Sequence, residues 1–295
     1  MNKQKLVRFI NKYYLSGTIK SVIFNSSSNK LSTRFIAGNK SLLGELEMDK
    51  WMFEDCQFGV YDTEQLMKLL SVLDEDINVN INKAGDKAIS LKISDSTSSV
   101  NYILSDTSII SDPPNMKDEP EFELNIDVTP QLISKFIAGK SALPENDNFT
   151  VVTDESNTNL VIGYSSINTH RVTIPATTSK FSKIDKVSFN ANIFKEILNA
   201  NKECESAILK ISSQGLSKIT FKVDDYQDDE LEKLSKFYND EIKEEIFPTH
   251  NVATMSSCKK DEDSIEKDKC NLYNYIVEDQ NCKNDYLNEF SDSFI

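Results

Sequence analysis

The chain has 295 residues, of which 39% are hydrophobic and 27% charged, with a net charge of -14. That length leaves room for two domains with proper cores, and a globally acidic protein is ordinarily a poor candidate for nucleic acid. The charge is unevenly spread, however: from Asp224 onward there are 20 acids and 8 bases, so the first 223 residues carry a net charge of only -2.

KQKLVRFINKYYL, just after Met1, predicts a helix that buries Leu6, Phe9, Ile10, Tyr13 and Tyr14 and turns Lys5, Arg8 and Lys12 to its far side. Charges interrupt the apolar run and no small-residue cleavage site follows, so it reads as a helix and not a signal peptide. Gly17 marks its stop. Strands are expected in TIKSVIF, LSTRFIAG and SLLGELEM, separated by Ser/Asn-rich turns.

The run from Phe58 to Asp106 holds one whole cycle: strand FGVYD, helix TEQLMKLLSVLD, then strands DINVNIN, AISLKIS and VNYIL. Leu66, Met67, Leu69, Leu70 and Leu73 form the buried helical face and Lys68 points away. SDTSIISDPPNMKDEPE lacks periodicity and carries three of the seven prolines, which marks a linker between two similar halves. Ile109 and Ile110 are an apolar pair within it. They either anchor the loop or border a pocket for a partner.

The second half repeats the pattern. FELNIDV leads to Thr129-Pro130, a cap followed by a first-turn proline, and QLISKFIAG buries Leu132, Ile133, Phe136 and Ile137 with Lys135 outward and Gly139 as its stop. NFTVVT, NLVIGYS and HRVTIP complete that cycle. KVSFNA and a helix with Ile193, Phe194, Ile197 and Leu198 inside and Lys195 and Lys202 outside open the next one. SAILKIS and LSKITFKV follow, leaving this cycle one strand short. NLYNYIVE supplies that strand from far downstream, or everything after Val223 is a disordered tail. The expected division is a domain over 1–110, a connector over 111–121, a domain over 122–223 plus 270–279, an acidic insertion over 224–269 and a tail over 280–295.

Catalytic and metal signatures do not emerge. The five cysteines form no CxxC pair and the two histidines, His170 and His250, are far apart, so no zinc site is expected and reduced thiols in a cytoplasm are the default. His170 reads as an ordinary strand residue. A nucleophile elbow and a phosphate-cradling glycine loop are missing, and the acids around Asp224 to Glu230 lack the glycine and terminal glutamate of a calcium loop. An enzyme, a cofactor and a membrane span are therefore not expected. What recurs is geometric: four helices each expose bases opposite the core, namely Lys5, Arg8 and Lys12, then Lys68, then Lys135, then Lys195 and Lys202. Side by side they would hold phosphates without reading sequence. A two-domain structural or capsid-associated β-protein, its lysines merely solvated, is the competing reading. A single-strand DNA binder would need aromatics interleaved with bases on an exposed face, and here the aromatics sit at buried positions.

The order of elements in FGVYDTEQLMKLLSVLDEDINVNI with its hairpin, the connector after SIISD, FELNIDVTPQLISKF and the strand NLYNYIVE resembles the DNA polymerase sliding clamps, most closely those of T-even-like bacteriophages. The resemblance covers about Met1 to Val223 plus the last strand. It implies an α+β clamp fold of two similar domains, each of two strand-helix-strand-strand-strand repeats. It also implies a homotrimeric ring whose twelve helices surround duplex DNA, loading by a clamp loader ATPase, and a hydrophobic pocket near the connector for the polymerase C-terminal peptide. The acidic insertion and the extension after Glu278 depart from the family pattern. Such a ring closes head to tail between sheet edges, one of them expected at Val100 to Leu104. Tyr286, Leu287, Phe290, Phe294 and Ile295 recur among acids at the end of the chain, similar to partner peptides of this family, and suggest that the tail visits the same pocket.

Overall fold

The computed structural model describes residues 1–51, 53–114, 119–165, 167, 169–204 and 206–221, together with the backbone of Lys222 and Leu272–Glu278. The expected insertion 224–269 and tail 280–295 lie outside the described residues.

The first half begins with α1 (Lys3–Tyr14), whose first-turn N–H of Gln4 is accepted by the Asn2 side chain at 2.7 Å. It ends one turn earlier than Gly17: Leu15 takes φ 44°, Ser16 φ 54° and Gly17 φ 98°, so a left-handed turn of three residues reverses the chain. There follow β1 (Val22–Ser27), β2 (Lys30–Ile36), β3 (Leu42–Met48), β4 (Cys56–Val60), α2 (Thr63–Leu70), β5 (Asn78–Ala84), β6 (Lys87–Ser94) and β7 (Ser99–Ile103). The second half runs β8 (Leu124–Val128), α3 (Pro130–Ala142), β9 (Asn148–Thr153), β10 (Thr158–Ile162), β11 (Val172–Ala176), β12 (Thr178–Lys180), β13 (Val187–Asn190), α4 (Ala191–Ala200), β14 (Ser206–Ile211), β15 (Leu216–Lys222) and β16 (Leu272–Glu278).

One pairing rule organises both halves. The strand ahead of each helix pairs with the first strand that follows another helix: β4 with β1, β13 with β9, and β8 with β14. Ahead of α1 the same slot on the β5 side is marked by an Asn2–Asp76 bridge, and Met1 and Ile77 exchange hydrogen bonds of 2.7 and 2.9 Å. The result is a nine-stranded sheet in the order β12-β8-β14-β15-β16-β3-β2-β1-β4, a four-stranded sheet β11-β10-β9-β13 and a three-stranded sheet β5-β6-β7. β16 joins the halves, pairing antiparallel with β15 on one side and with β3 on the other.

The core lies between sheets and helices. Phe24 sits 5.7 Å from Phe9, 5.7 Å from Tyr13 and 5.3 Å from Phe58. In the second half Phe136 and Phe149 lie 4.8 Å from Phe194. Burying each such ring contributes about 1.5–3 kcal/mol, and T-shaped pairs add roughly 0.5–1.5 kcal/mol.

Two expectations are corrected. Gly139 does not stop α3, which continues to Ala142. A Cβ there would meet Val172 Cγ1 at 2.9 Å, so this glycine lets α3 seat against β11. The polar connector after HRVTIP contains β12, which pairs with β8 across a register shift; three residues without alternation gave no strand signal.

The described ends of the linker, at Pro114 and Glu119, meet the face of the nine-stranded sheet that points away from the core. Leu31, Thr33 and Phe35 of β2 face the core, so Arg34 points the other way, and its Nη2 donates to Pro114 O at 2.7 Å. By the same alternation Lys218 of β15 lies opposite Ile219 and Phe221. It is 1% exposed, and its Nζ donates to Glu119 Oε1 at 2.6 Å.

Candidate nucleic-acid interface

The four helices form one layer on the other side of this sheet. α2 packs on α1, α1 on α4, and α4 on α3, so the order across the layer is α2, α1, α4, α3. Their sequences carry Lys3, Lys5, Arg8, Lys12, Lys68, Lys135, Lys140 and Lys195 against only two acids, Glu64 and Glu196. A layer with this balance attracts phosphate oxygens by field alone.

The individual bases differ in what they can do. Lys135 and Lys202 are exposed, and Lys195 is half-buried; none has an ion-pair partner among the described residues. Lys68 is exposed and pairs with Glu64 one turn earlier at 2.5 Å, a contact of little strength that a phosphate can displace. Lys5 is half-buried, and its Nζ donates to Asp49 O at 3.0 Å. Lys140, which the helical pattern left unassigned, is buried and donates to Pro144 O at 2.9 Å just past the end of its own helix.

Lys12 overturns its assignment to the exposed face. It is 1% exposed, because α4 of the second half packs over the side of α1 that a helical wheel leaves open. Its Nζ donates to Glu203 Oε1 at 2.5 Å, Asn201 Oδ1 at 3.0 Å and Ala200 O at 3.2 Å. Three acceptors at the end of α4 thus bind one ammonium from α1, where the helix dipole favours a cation. Burial pushes the Lys12 pKa down against the opposing pull of Glu203. The neighbouring Cys204 thiol is pushed up to about 12 by burial, which makes it inert near neutral pH.

Above Lys12 the α1–α4 seam opens into a cavity of about 490 Å³, on whose walls stand Arg8, Asn11, Tyr14, Glu196, Lys202 and Glu203. The two acids are held: Glu203 by Lys12, and Glu196 by Ser16 Oγ at 2.5 Å. Ser16 reaches it because of the left-handed turn that ends α1. Sequence reasoning found Arg8 and Lys202 but missed Asn11 and Asn199, which also lines the cavity. The available signal was spacing, Asn11 three residues after Arg8 and Asn199 four after Lys195.

The connector isoleucines separate. Ile110 is buried, and a Cβ on Gly59 of β4 would stand 2.8 Å from its Cδ1. It anchors the linker. Ile109 is 62% exposed.

No protein-family model matches this sequence, and no curated protein matches it. Solved structures do. Proliferating Cellular Nuclear Antigen (PCNA) from Entamoeba histolytica aligns with TM-score 0.59 at 16% identity, over 75% of this chain and 91% of that one. PCNA from Thermococcus kodakaraensis aligns with TM-score 0.59 at 12% identity, over 76% and 92%. A. fulgidus PCNA, solved with the C-terminal region of FEN-1 bound to it, aligns with TM-score 0.60 at 12% identity, over 76% and 91%. The fold is therefore that of the sliding clamps, and the solved structures it is similar to are of the PCNA type.

Proposed function

We propose that this chain is a sliding clamp: a DNA polymerase processivity factor whose copies close into a homotrimeric ring around duplex DNA. The observation that carries the reading is the unbroken layer α2-α1-α4-α3, rich in bases and poor in acids, on a clamp fold within an otherwise acidic chain. A ring holds DNA topologically, so the weak, sequence-independent phosphate contacts that these lysines offer are suited to sliding. Tethering then raises the effective concentration of polymerase at the primer end. The protein supplies no chemistry in this reading and needs no cofactor or metal.

Ring closure is assigned to sheet edges. β7 is an edge strand of the three-stranded sheet and β11 of the four-stranded one, in opposite halves, as a head-to-tail contact requires. Ile103 on β7 is 68% exposed and supplies an apolar contact for a neighbouring copy. The proposed partners are a clamp loader ATPase and the polymerase C-terminal peptide, seated beside the connector with Ile109 at its border. We retain the division into domains 1–110 and 122–223 plus 270–279, the finer likeness to the clamps of T-even-like bacteriophages, and a cytoplasmic location as parts of the same proposal. Among the described residues no helix is long and apolar enough to cross a membrane.

The test is topological. Protein loaded onto a closed circular duplex should stay bound through gel filtration and be lost once the circle is cut, and light scattering should report three times the mass of the chain. Equal retention on cut and closed DNA, or a monomer at micromolar concentration, would overturn the ring.

A further inference from the structure

The α1–α4 seam contains a buried cation paired with an acid that lines the cavity above it. Lys12 is absent from the cavity walls, whereas Glu203, with 22% of its side chain exposed, stands on them together with Arg8 and Lys202. An uncompensated carboxylate at that place would oppose any phosphate approaching the two bases. With Lys12 bound to it the pair is neutral, Glu196 is hydrogen-bonded to Ser16, and Arg8 and Lys202 share the cavity walls with Asn11 and Asn199.

We infer that the α1–α4 seam is where the helix layer holds a backbone phosphate, and that Lys12 is its positioning residue, acting through Glu203 and never by direct contact. The proposal rests on the reading of the helix layer as a nucleic-acid surface. It adds a division of labour within that layer: Arg8 and Lys202 meet the phosphate, while Lys12 neutralises the acid that shares their cavity and ties α1 to the end of α4. In α3 nothing of this kind is needed, because Lys135 has no acid beside it in its own helix.

Two substitutions that break the same ion pair from opposite ends separate a charge role from a purely structural one. Lys12→Met leaves the carboxylate uncompensated; Glu203→Gln leaves a cation that keeps Asn201 Oδ1 and Ala200 O as acceptors. Binding of a fluorescent linear duplex at low salt, followed by anisotropy, should weaken by about tenfold for Lys12→Met. That is the scale of one unit charge acting across several ångströms at a protein surface. Glu203→Gln should bind tighter than the unaltered protein, and the double variant should return close to it. The Lys12→Met deficit should shrink as salt is added. Movement of both single variants in the same direction would show that the pair acts only by holding the helices together, and overturns the proposal. A double variant as weak as Lys12→Met, with its salt slope reduced by about 0.9, would make Lys12 a direct phosphate contact and overturns it as well. If Lys12→Met does not fold, the sign of the Glu203→Gln change decides alone. Absence of any salt-sensitive binding by the unaltered protein is a different result: it removes the nucleic-acid reading itself.

Discussion

Two lysines, Lys12 and Lys218, stand on opposite faces of the molecule in nearly the same circumstance. Each is 1% exposed, each donates to one glutamate at 2.5–2.6 Å, and burial lowers the pKa of each. Their settings differ. Lys12 bridges two helices of different halves and has two further acceptors in Asn201 and Ala200, whereas Lys218 projects from β15 to Glu119 of the linker. The comparison teaches that a buried lysine here is a fastener, and that what it fastens decides whether its loss is felt in stability alone or also in the proposed DNA contact.

The largest effect should come from stranding the lysine with fewer acceptors. Glu119→Ala leaves Lys218, in a 1% exposed site, without its hydrogen-bonded carboxylate and with only the field of Glu45 to offset its charge, and should cost about 3 kcal/mol in urea unfolding. Adding Lys218→Met should recover most of that loss, since it removes the stranded charge. Glu203→Ala should cost less, about 2 kcal/mol, because two neutral acceptors remain on Lys12. Equal costs would show that Asn201 and Ala200 contribute nothing and would erase the distinction.

The connector offers a sharper contrast between neighbours. Ile110→Ser, at a buried site against Gly59, should lose about 3 kcal/mol. Ile109→Ser should leave the unfolding midpoint unchanged and weaken a polymerase C-terminal peptide in calorimetry. Unaltered peptide affinity in Ile109→Ser removes that residue from the proposed pocket.

Smaller effects appear on varying pH. Lys218 and Lys12 have folded values below the ordinary 10.5, so below those values the cost of holding the charged forms is fully present. As pH rises toward 10.5 the unfolded chain binds more protons than the folded one, and the cost is relieved. The unaltered protein should therefore gain stability over Lys218→Met between neutral pH and pH 10.5, and a constant difference would contradict this. Asp95 shows the opposite sign. Hydrogen bonds from the N–H groups of Asp74, Thr97 and Ser98 hold its pKa down at about 2 against an ordinary 3.8. Its contribution is present above 3.8 and is lost as pH falls through about 2. Asp95→Ala should lower the melting temperature at neutral pH, and the difference should fade at the acid end.

The fold was legible because local signals agreed with it. All four helices were visible in their apolar spacing, and Asp62, Thr129 and Asn190 cap their helices through side-chain hydrogen bonds, Thr129 at a position that capping preferences had marked. β16 was found by alternation alone, far from its partners in sequence. The misreadings share a cause. Lys12 and Gly139 were judged from their own helices, and both are decided by something packed across them, α4 over Lys12 and β11 against Gly139. A helical wheel shows which side is polar, and cannot show which polar residue a second element will cover. Ile110 was open between two roles, and only its contact with Gly59 makes it an anchor.

The placement of β16 bears on how the chain is made. β3 is finished at Met48 and pairs with β2 on one edge, yet the strand that covers its other edge begins at Leu272. At roughly 5–20 residues per second of translation, that edge waits on the order of 10–45 s on the ribosome. Its residues Leu42, Leu43 and Leu46 are buried in the finished fold and would, during that interval, belong to a strand with one edge open to the wrong neighbour. The growing chain therefore has a window in which a chaperone, or a slower or faster passage through the intervening codons, sets the yield of folded protein.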